Sequence, residues 1–311
     1  MTAPICLPSL LARRFPRLAG RMPKLGWRML ERLAHVPELN RHLRETEHLP
    51  PRQALRHILR DLQLDVYWTT TTGQNLTDLL PNQSRITLCA NHPYGAAEAL
   101  VLLHLLSEHY GTVRVPANSL LQELSSLAPF FFPIDKHGSS RKSLRELDAL
   151  FAGDDPILVF PAGTTGRPRQ GRITGPVVDF PWTKTFLKKS RQHGRLLIPV
   201  HVRGRNSCRF YTLARIRTSL GIRANLEMLL LADELMRKRG TTLEAVVGPP
   251  IDPRHLGPNR TDTQWVELLR EYVQDMKPGM PGDFLARGAH FLGKDTPQGG
   301  DHHGMGCAGS G

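Results

Sequence analysis

The chain predicts an α/β fold: a mixed, largely parallel sheet covered by helices on both faces, with an N-terminal helical segment. Two observations predict it. Short apolar runs alternate with helical patterns along the chain, and strands that alternate with helices build a sheet with helices packed against it. The most telling of these runs then break at Pro or Gly, as strands do where they pass into a loop. With 311 residues the chain can bury a sizeable core as one large α/β unit with appendages. It contains no internal repeat.

The first seventy residues read as a basic amphipathic helical segment. Residues 1–60 hold twelve Arg and Lys against four Glu, so +8 of the formal net charge of +13 lies there. Leu10, Leu11, Phe15, Leu18, Leu25, Trp27, Met29, Leu30 and Leu33 add apolar surface, and Pro16 and Pro23 divide the stretch into short helices. Cationic and apolar residues together suit an anionic membrane surface. They equally suit an ordinary helical subdomain with solvated arginines, and both readings stay open.

The α/β domain is expected over residues 71–276. Apolar runs place strands at 86–90, 113–116, 130–134, 156–160, 196–202 and 243–247. Helices are expected at 96–109, 140–151, 183–193, 224–238 and 262–276. In the second of these, Leu144, Leu147, Leu150 and Phe151 form an apolar stripe. From Lys277 a Gly-rich stretch runs to Gly311 and reads as a flexible C-terminal tail. Its paired His302 and His303 could catch a metal, but a disordered tail is the simpler reading.

Two runs carry chemistry. In Cys89-Ala90-Asn91-His92-Pro93-Tyr94-Gly95-Ala96-Ala97-Glu98, His92 falls where a strand hands over to a helix. Open α/β sheets place their ligands there. A neutral imidazole can take a proton from an attacking hydroxyl near neutral pH. Glu98, on the first turns of the following helix, can fold back, fix the ring tautomer and stabilise the imidazolium. No nucleophile stands beside the pair, so the hydroxyl belongs to a substrate. Cys89 precedes the pair and reads as a core residue of the strand. The second run is Ile157-Leu158-Val159-Phe160-Pro161-Ala162-Gly163-Thr164-Thr165-Gly166-Arg167. Backbone N–H groups in a Gly-rich turn beside a guanidinium form an anion site, in which Arg167 would grip a phosphate. The plainer alternative is a strand-to-loop turn with a solvated Arg.

Together these runs resemble the glycerolipid and lysophospholipid acyltransferase superfamily (PlsC-like). Its motifs occur here in order: Asn91-His92-Pro93, Pro133-Ile134-Asp135-Lys136, Phe160-Pro161-Ala162-Gly163, and Leu197-Ile198-Pro199-Val200. The resemblance covers roughly residues 86–251. It is closest to the bacterial branch labelled as hemolysins, in which the carboxylate is spaced as His92 and Glu98 are. Lys136 stands where the general family carries Arg, and Ala162 where it carries Glu.

The resemblance implies an enzyme that moves a fatty acyl group from acyl-CoA or acyl-carrier protein to a hydroxyl of a lysolipid-type acceptor. His92 would be the general base and Glu98 its orienting carboxylate. Lys136, Gly163 and Arg167 would bind an anionic group of the acceptor or donor. Asn91 and Tyr94 would shape the pocket. The acyl thioester is a co-substrate, and neither cofactor nor metal is implied. The expected partners are the thioester donor, a lysolipid and an anionic membrane surface. The rival readings are a basic module binding nucleic acid or an anionic surface, and a thioesterase using the same site. With five Tyr and no basic motif interleaved with aromatics, nucleic acid is set aside.

No apolar run reaches the length of about eighteen residues that a membrane span needs. The start of the chain lacks the basic n-region of a signal peptide. Cys6, Cys89, Cys208 and Cys307 show neither metal nor disulfide spacing. The expected location is cytoplasmic, peripheral on the cytoplasmic face of the inner membrane.

Overall fold

In the computed structural model, residues 5–8, 23–117, 121–122, 124–133, 141–169, 172–221, 227, 230–280 and 284–286 are described. Helices α1 (Lys24–Leu33), α2 (Val36–Thr46) and α3 (Pro51–Leu62) lead in. Then come β1 (Asp65–Thr70), the single turn α4 (Leu76–Leu79), β2 (Ile86–Ala90) and α5 (Ala97–Tyr110). They are followed by β3 (Val115–Ala117), β4 (Phe131–Pro133), α6 (Arg141–Ala152) and β5 (Ile157–Val159). The short β6 (Arg167–Pro168) and β7 (Val177–Val178) precede α7 (Thr185–Gln192) and β8 (Leu196–Arg203). The chain continues through α8 (Cys208–Ser219), α9 (Leu231–Met236), β9 (Thr242–Val247) and α10 (Asp262–Asp275).

The central sheet has the order β1-β9-β8-β2-β5. Its pairs are parallel except β8 with β9. The mixed, largely parallel sheet is therefore present. Strands β2, β5 and β8 are buried on both faces because helices cover both sides of the sheet there. Alternation within each strand sorts the side chains. Leu88 and Ala90 of β2, Ile198, Val200 and Val202 of β8, and Ala245 and Val247 of β9 join one core, with Leu55 and Leu59 of α3 and Val101 and Leu102 of α5. Cys89, Leu197 and Val246, from the same strands, face the other core, with Phe186 of α7 and Trp265 and Leu269 of α10. Cys89 is thus a core residue, and burial pushes its thiol pKa far up. The parallel register sets Ala90 beside Val200, so His92 emerges just past the end of β2, alongside the last residues of β8.

Several expectations need correction. Leu144 is 59% exposed, so the apolar stripe of α6 reduces to Phe151, with Leu147 and Leu150 half-buried. The expected flexible tail is packed at its start: Met280 and Phe284 are buried, with the Phe284 ring against Trp265 and Tyr272. Those apolar side chains pack with Trp265, Leu269 and Tyr272 of α10 in one core. Strand β1 and helix α8 were not expected. Of the helix expected at 224–238, Leu231–Met236 is helical, while residues 224–226, 228 and 229 lie outside the described residues, as do 287–311. No helix among the described residues is long and apolar enough to cross a membrane.

His201 on β8 is buried, and its Nδ1 has no hydrogen-bond partner. Burial, aided by the Arg203 charge, lowers its pKa to about 4. The native state thus takes up the proton less readily than the unfolded chain. The stability of the neutral ring is fully present above about pH 6.5 and is lost as the pH falls toward about 4. Denaturant titrations across that window are expected to show a loss of about 3 kcal/mol for the native chain. His201→Gln is expected to flatten this acid limb, and an unchanged limb would place the acid-sensitive group elsewhere.

Candidate active site

Between the end of β2 and the start of α5 the chain turns back on itself at Gly95, which has φ +92. That turn aims the Tyr94 and Gly95 amides at the helix that follows. Both donate to Glu98 Oε1, at 2.8 Å each. Glu98 is wholly buried, and it lies in the first turn of α5, where the helix dipole favours an anion. His92 Nδ1 lies 3.1 Å from the same oxygen. The approach is close but is not an aligned hydrogen bond, because Nδ1 has no hydrogen-bond partner and neither has Glu98 Oε2. The structure thus brings the two residues singled out by sequence into contact. Nε2 is the ring nitrogen turned away from Glu98.

His92 is held on three further sides. Its N–H donates to Asp179 Oδ1 at 3.0 Å. Its carbonyl accepts from the Gly166 N–H at 2.8 Å. Its ring stacks on Phe160, centroids 4.2 Å apart and planes 28° from parallel. Asp179 is itself fixed by the Trp182 indole N–H, which donates to Oδ2 at 2.8 Å. Burial pushes the Asp179 carboxyl pKa up, while the hydrogen bonds from Trp182 and His92 hold the ionised form. Sequence reasoning missed Asp179, Trp182 and Phe160 as parts of the site. Phe160 was visible in its motif, but nothing local tied Asp179 or Trp182 to the site, Asp179 lying 87 residues from His92.

The other candidates are placed as follows. Asn91 bridges to β8, donating to the Val202 carbonyl at 2.8 Å and accepting from the Val202 N–H at 2.6 Å. Tyr94 is buried, donates to the Arg203 carbonyl at 3.0 Å and carries Lys238 Nζ 4.6 Å over its ring. Both residues anchor the loop that bears His92. The Gly163 N–H donates to the Phe160 carbonyl at 2.9 Å, closing the turn after β5. Arg167 is half-buried and faces inward. Its guanidinium donates to Glu227 Oε1 at 2.8 Å and to the Thr165 carbonyl at 2.8 Å, and lies 4.8 Å over the Phe210 ring. Burial lowers its pKa, while Glu227 holds the charge. Glu227, wholly buried, also meets Arg217 at 2.8 Å. Lys136 lies outside the described residues.

A base backed by a buried carboxylate, on a loop clamped at both peptide groups, can deprotonate a hydroxyl without a protein nucleophile. The profile of a family described as "Acyltransferase" matches residues 9–280. The chain belongs to this acyltransferase family. A lyso-glycine lipid O-acyltransferase of Phocaeicola vulgatus is 35% identical over 254 residues, 81% of this chain and 88% of that one. The enzyme of the same description from Bacteroides thetaiotaomicron is 34% identical over 271 residues, 86% of this chain and 96% of that one. The crystal structure of the 1-acyl-sn-glycerophosphate acyltransferase PlsC from Thermotoga maritima superposes with a TM-score of 0.41 at 17% identity, covering 76% of this chain and 80% of that chain. The family match spans residues 9–280, well beyond residues 86–251 that carry the motifs.

Two tests probe this geometry. A Cβ at Gly95 would sit 2.4 Å from Thr165 Cγ2 and 2.8 Å from Leu231 Cδ2, on a backbone that L-residues rarely adopt. Gly95→Ala is expected to destabilise the acyltransferase by about 1–3 kcal/mol in thermal or denaturant unfolding. An unshifted midpoint would mean that the turn relaxes without cost. Asp179→Asn keeps the shape but leaves one acceptor for two donors. Its kcat is expected to fall by about tenfold or more with KM nearly unchanged, because the histidine is displaced rather than the substrate. A loss confined to KM would argue that Asp179 lines the substrate site instead.

Proposed function

We propose that this acyltransferase moves a fatty acyl group from an acyl-CoA or acyl-carrier-protein thioester to a hydroxyl of a lysolipid-type acceptor. The observation that carries the reading is the contact of His92 Nδ1 with the buried Glu98 carboxylate. His92 Nε2 accepts the proton of the acceptor hydroxyl as its oxygen bonds to the thioester carbonyl carbon. The C–S bond then breaks, the ester forms, and the proton on Nε2 passes to the leaving sulfur. Glu98 holds the ring and steadies the imidazolium between those two transfers. No covalent acyl-enzyme is required.

The acceptor class follows from the relatives, which are named for a lyso-glycine lipid. The proposed acceptors therefore include lyso-lipids with an amino-acid head as well as lysophospholipids. Lys136, Gly163 and Arg167 are the proposed contacts for an anionic group. Arg167 can serve only by sharing its guanidinium with Glu227, so Lys136 is the first residue to vary. Asn91 and Tyr94 keep the base in place.

The reaction is proposed to occur on the cytoplasmic face of the inner membrane. On α1, Lys24, Leu25, Arg28, Met29 and Arg32 are all exposed and share one side of the helix. Leu25 and Met29 would enter the interface while the cations meet anionic headgroups.

His92→Ala and Glu98→Gln are expected to lower turnover by about 10²–10⁴-fold with native circular dichroism, measured with both thioester donors and a panel of lysolipids. Near-normal transfer by folded His92→Ala would sink the mechanism, and release of free fatty acid with no acylated lipid would make the protein a thioesterase. In vesicle flotation, Leu25→Ser with Met29→Ser is expected to weaken binding to anionic vesicles without unfolding α1, whose Trp27 and Leu30 stay packed against Ala34 and Val36. Flotation equal to the native chain would exclude α1 as an anchor.

A further inference from the structure

Away from the dyad, α8 and the loop between β6 and β7 share a small core. Phe210, Tyr211 and Leu230 are its centre, and Ile173, Val177 and Leu33 of α1 pack against it. Above this core the surface carries unusual side chains. Ile216 is 51% exposed and Leu220 is 68% exposed. They lie four residues apart and therefore on one side of α8 and its C-cap. With Ile173, Thr212, Arg215 and Ser219 they line a shallow depression of about 370 Å³. Beside it, Arg169, Arg172, Thr174, Gly175 and Pro176 line a second one. Neither depression is lined by His92 or Glu98.

The charge is one-sided. Residues 164–178 and 208–221 contain six arginines and no Asp or Glu. Two of the six, Arg167 and Arg217, are turned onto Glu227. Arg169, Arg172 and Arg215 are exposed, and so is Arg209, which lies 3.7 Å from Asp233. Exposed large aliphatic side chains ringed by guanidiniums complement an anionic lipid leaflet: apolar side chains below the headgroups and cations at the phosphates. Helix α1 reaches the same small core through Leu33. The core also reaches the dyad loop, because the Asn206 N–H donates to the Tyr211 hydroxyl at 3.0 Å and Asn206 Nδ2 donates to the Tyr94 carbonyl at 3.1 Å.

We propose that the α8 end, with Arg169 and residues 172–176, forms a second membrane-docking face, which seats the acyltransferase on an anionic leaflet together with α1. Ile216 and Leu220 insert, and Arg169, Arg172 and Arg215 contact lipid phosphates. The proposal rests on the reading of the protein as a lysolipid acyltransferase, and two-point attachment sets the dyad loop at a fixed height above the lipid from which it draws its acceptor.

The test uses the full chain and vesicles of phosphatidylcholine with or without phosphatidylglycerol. Ile216→Ser with Leu220→Ser, both exposed, is expected to fold normally and to lower partitioning into anionic vesicles by about tenfold or more. Arg169→Ser with Arg172→Ser is expected to abolish most of the preference for phosphatidylglycerol. High salt should weaken the native chain toward that variant. Both variants are expected to acylate a water-soluble short-chain lysolipid at the native rate, and to acylate vesicle-borne acceptor more slowly. Native-like flotation by both variants overturns the docking proposal whatever their activity. So does a variant that keeps its vesicle binding and instead loses affinity for a soluble acidic acyl-carrier protein, or changes its oligomeric state in sedimentation. If the native chain acylates no lysolipid, the reading of the reaction fails, while the vesicle measurement still decides the docking face.

Discussion

Burying the Glu98 carboxylate is the constraint on which the site is built. A carboxylate taken out of water without partners is strongly disfavoured. Here one oxygen collects two backbone amides at 2.8 Å, and the start of α5 adds its dipole. Those amides converge only because the chain reverses at Gly95 with a positive φ. The reversal in turn presses the Gly95 Cα against Thr165 and Leu231, so that a methyl group would collide there. One buried charge thus dictates the turn, the glycine, and the close approach of the loop after β5. The histidine is delivered to the charge by the same turn.

His92 is placed from the backbone outward. Its N–H is held by Asp179 and its C=O by the Gly166 N–H, which come from the segments on either side of the β6–β7 pair. Phe160, the first residue after β5, fixes the plane of the ring. A base held in this way loses little freedom when a substrate arrives, which is where much of the benefit of positioning comes from. The aromatic and apolar neighbours also limit water around the imidazole, so the Glu98 charge acts on it over a short and poorly screened distance.

Legibility in the sequence followed the range of the interactions. Strands β2, β5 and β8 and helices α5 and α10 were readable because their apolar patterns are local and strong. The His92–Glu98 contact was readable because six residues across a strand–helix turn leave few other geometries. Strand β1 was not, since Asp65-Val66-Tyr67-Trp68-Thr69-Thr70 is an edge strand whose Tyr67 stays exposed. Helix α8 was hidden because its exposed face carries Ile216 and its buried face approaches Arg167, which blurs any apolar period. The stripe on α6 misled in the opposite sense: Leu144 completes the period but protrudes from the packed part of the helix. Asp179 and Glu227 were invisible for a simpler reason. Each acts on a residue far along the chain, and no spacing rule links such pairs.

Arg167 shows how an apparent ligand-binding residue can hold the architecture together. Its guanidinium is spent on Glu227, the Thr165 carbonyl and the Phe210 ring. Removing either member of a buried pair leaves the other uncompensated, so such a pair is retained even where it adds little net stability. Because Arg217 of α8 meets the same carboxylate, the cluster ties the loop after β5, which caps His92, to α8, which presents Ile216 and Leu220. With two guanidiniums on one carboxylate the cluster is also net positive among the described residues. The potential beneath the 164–178 loop therefore favours anions even though Arg167 is already engaged. Anion attraction and mechanical coupling then come from the same three side chains. That arrangement lets an enzyme acting at a charged surface keep its base rigid while the surface around it remains cationic.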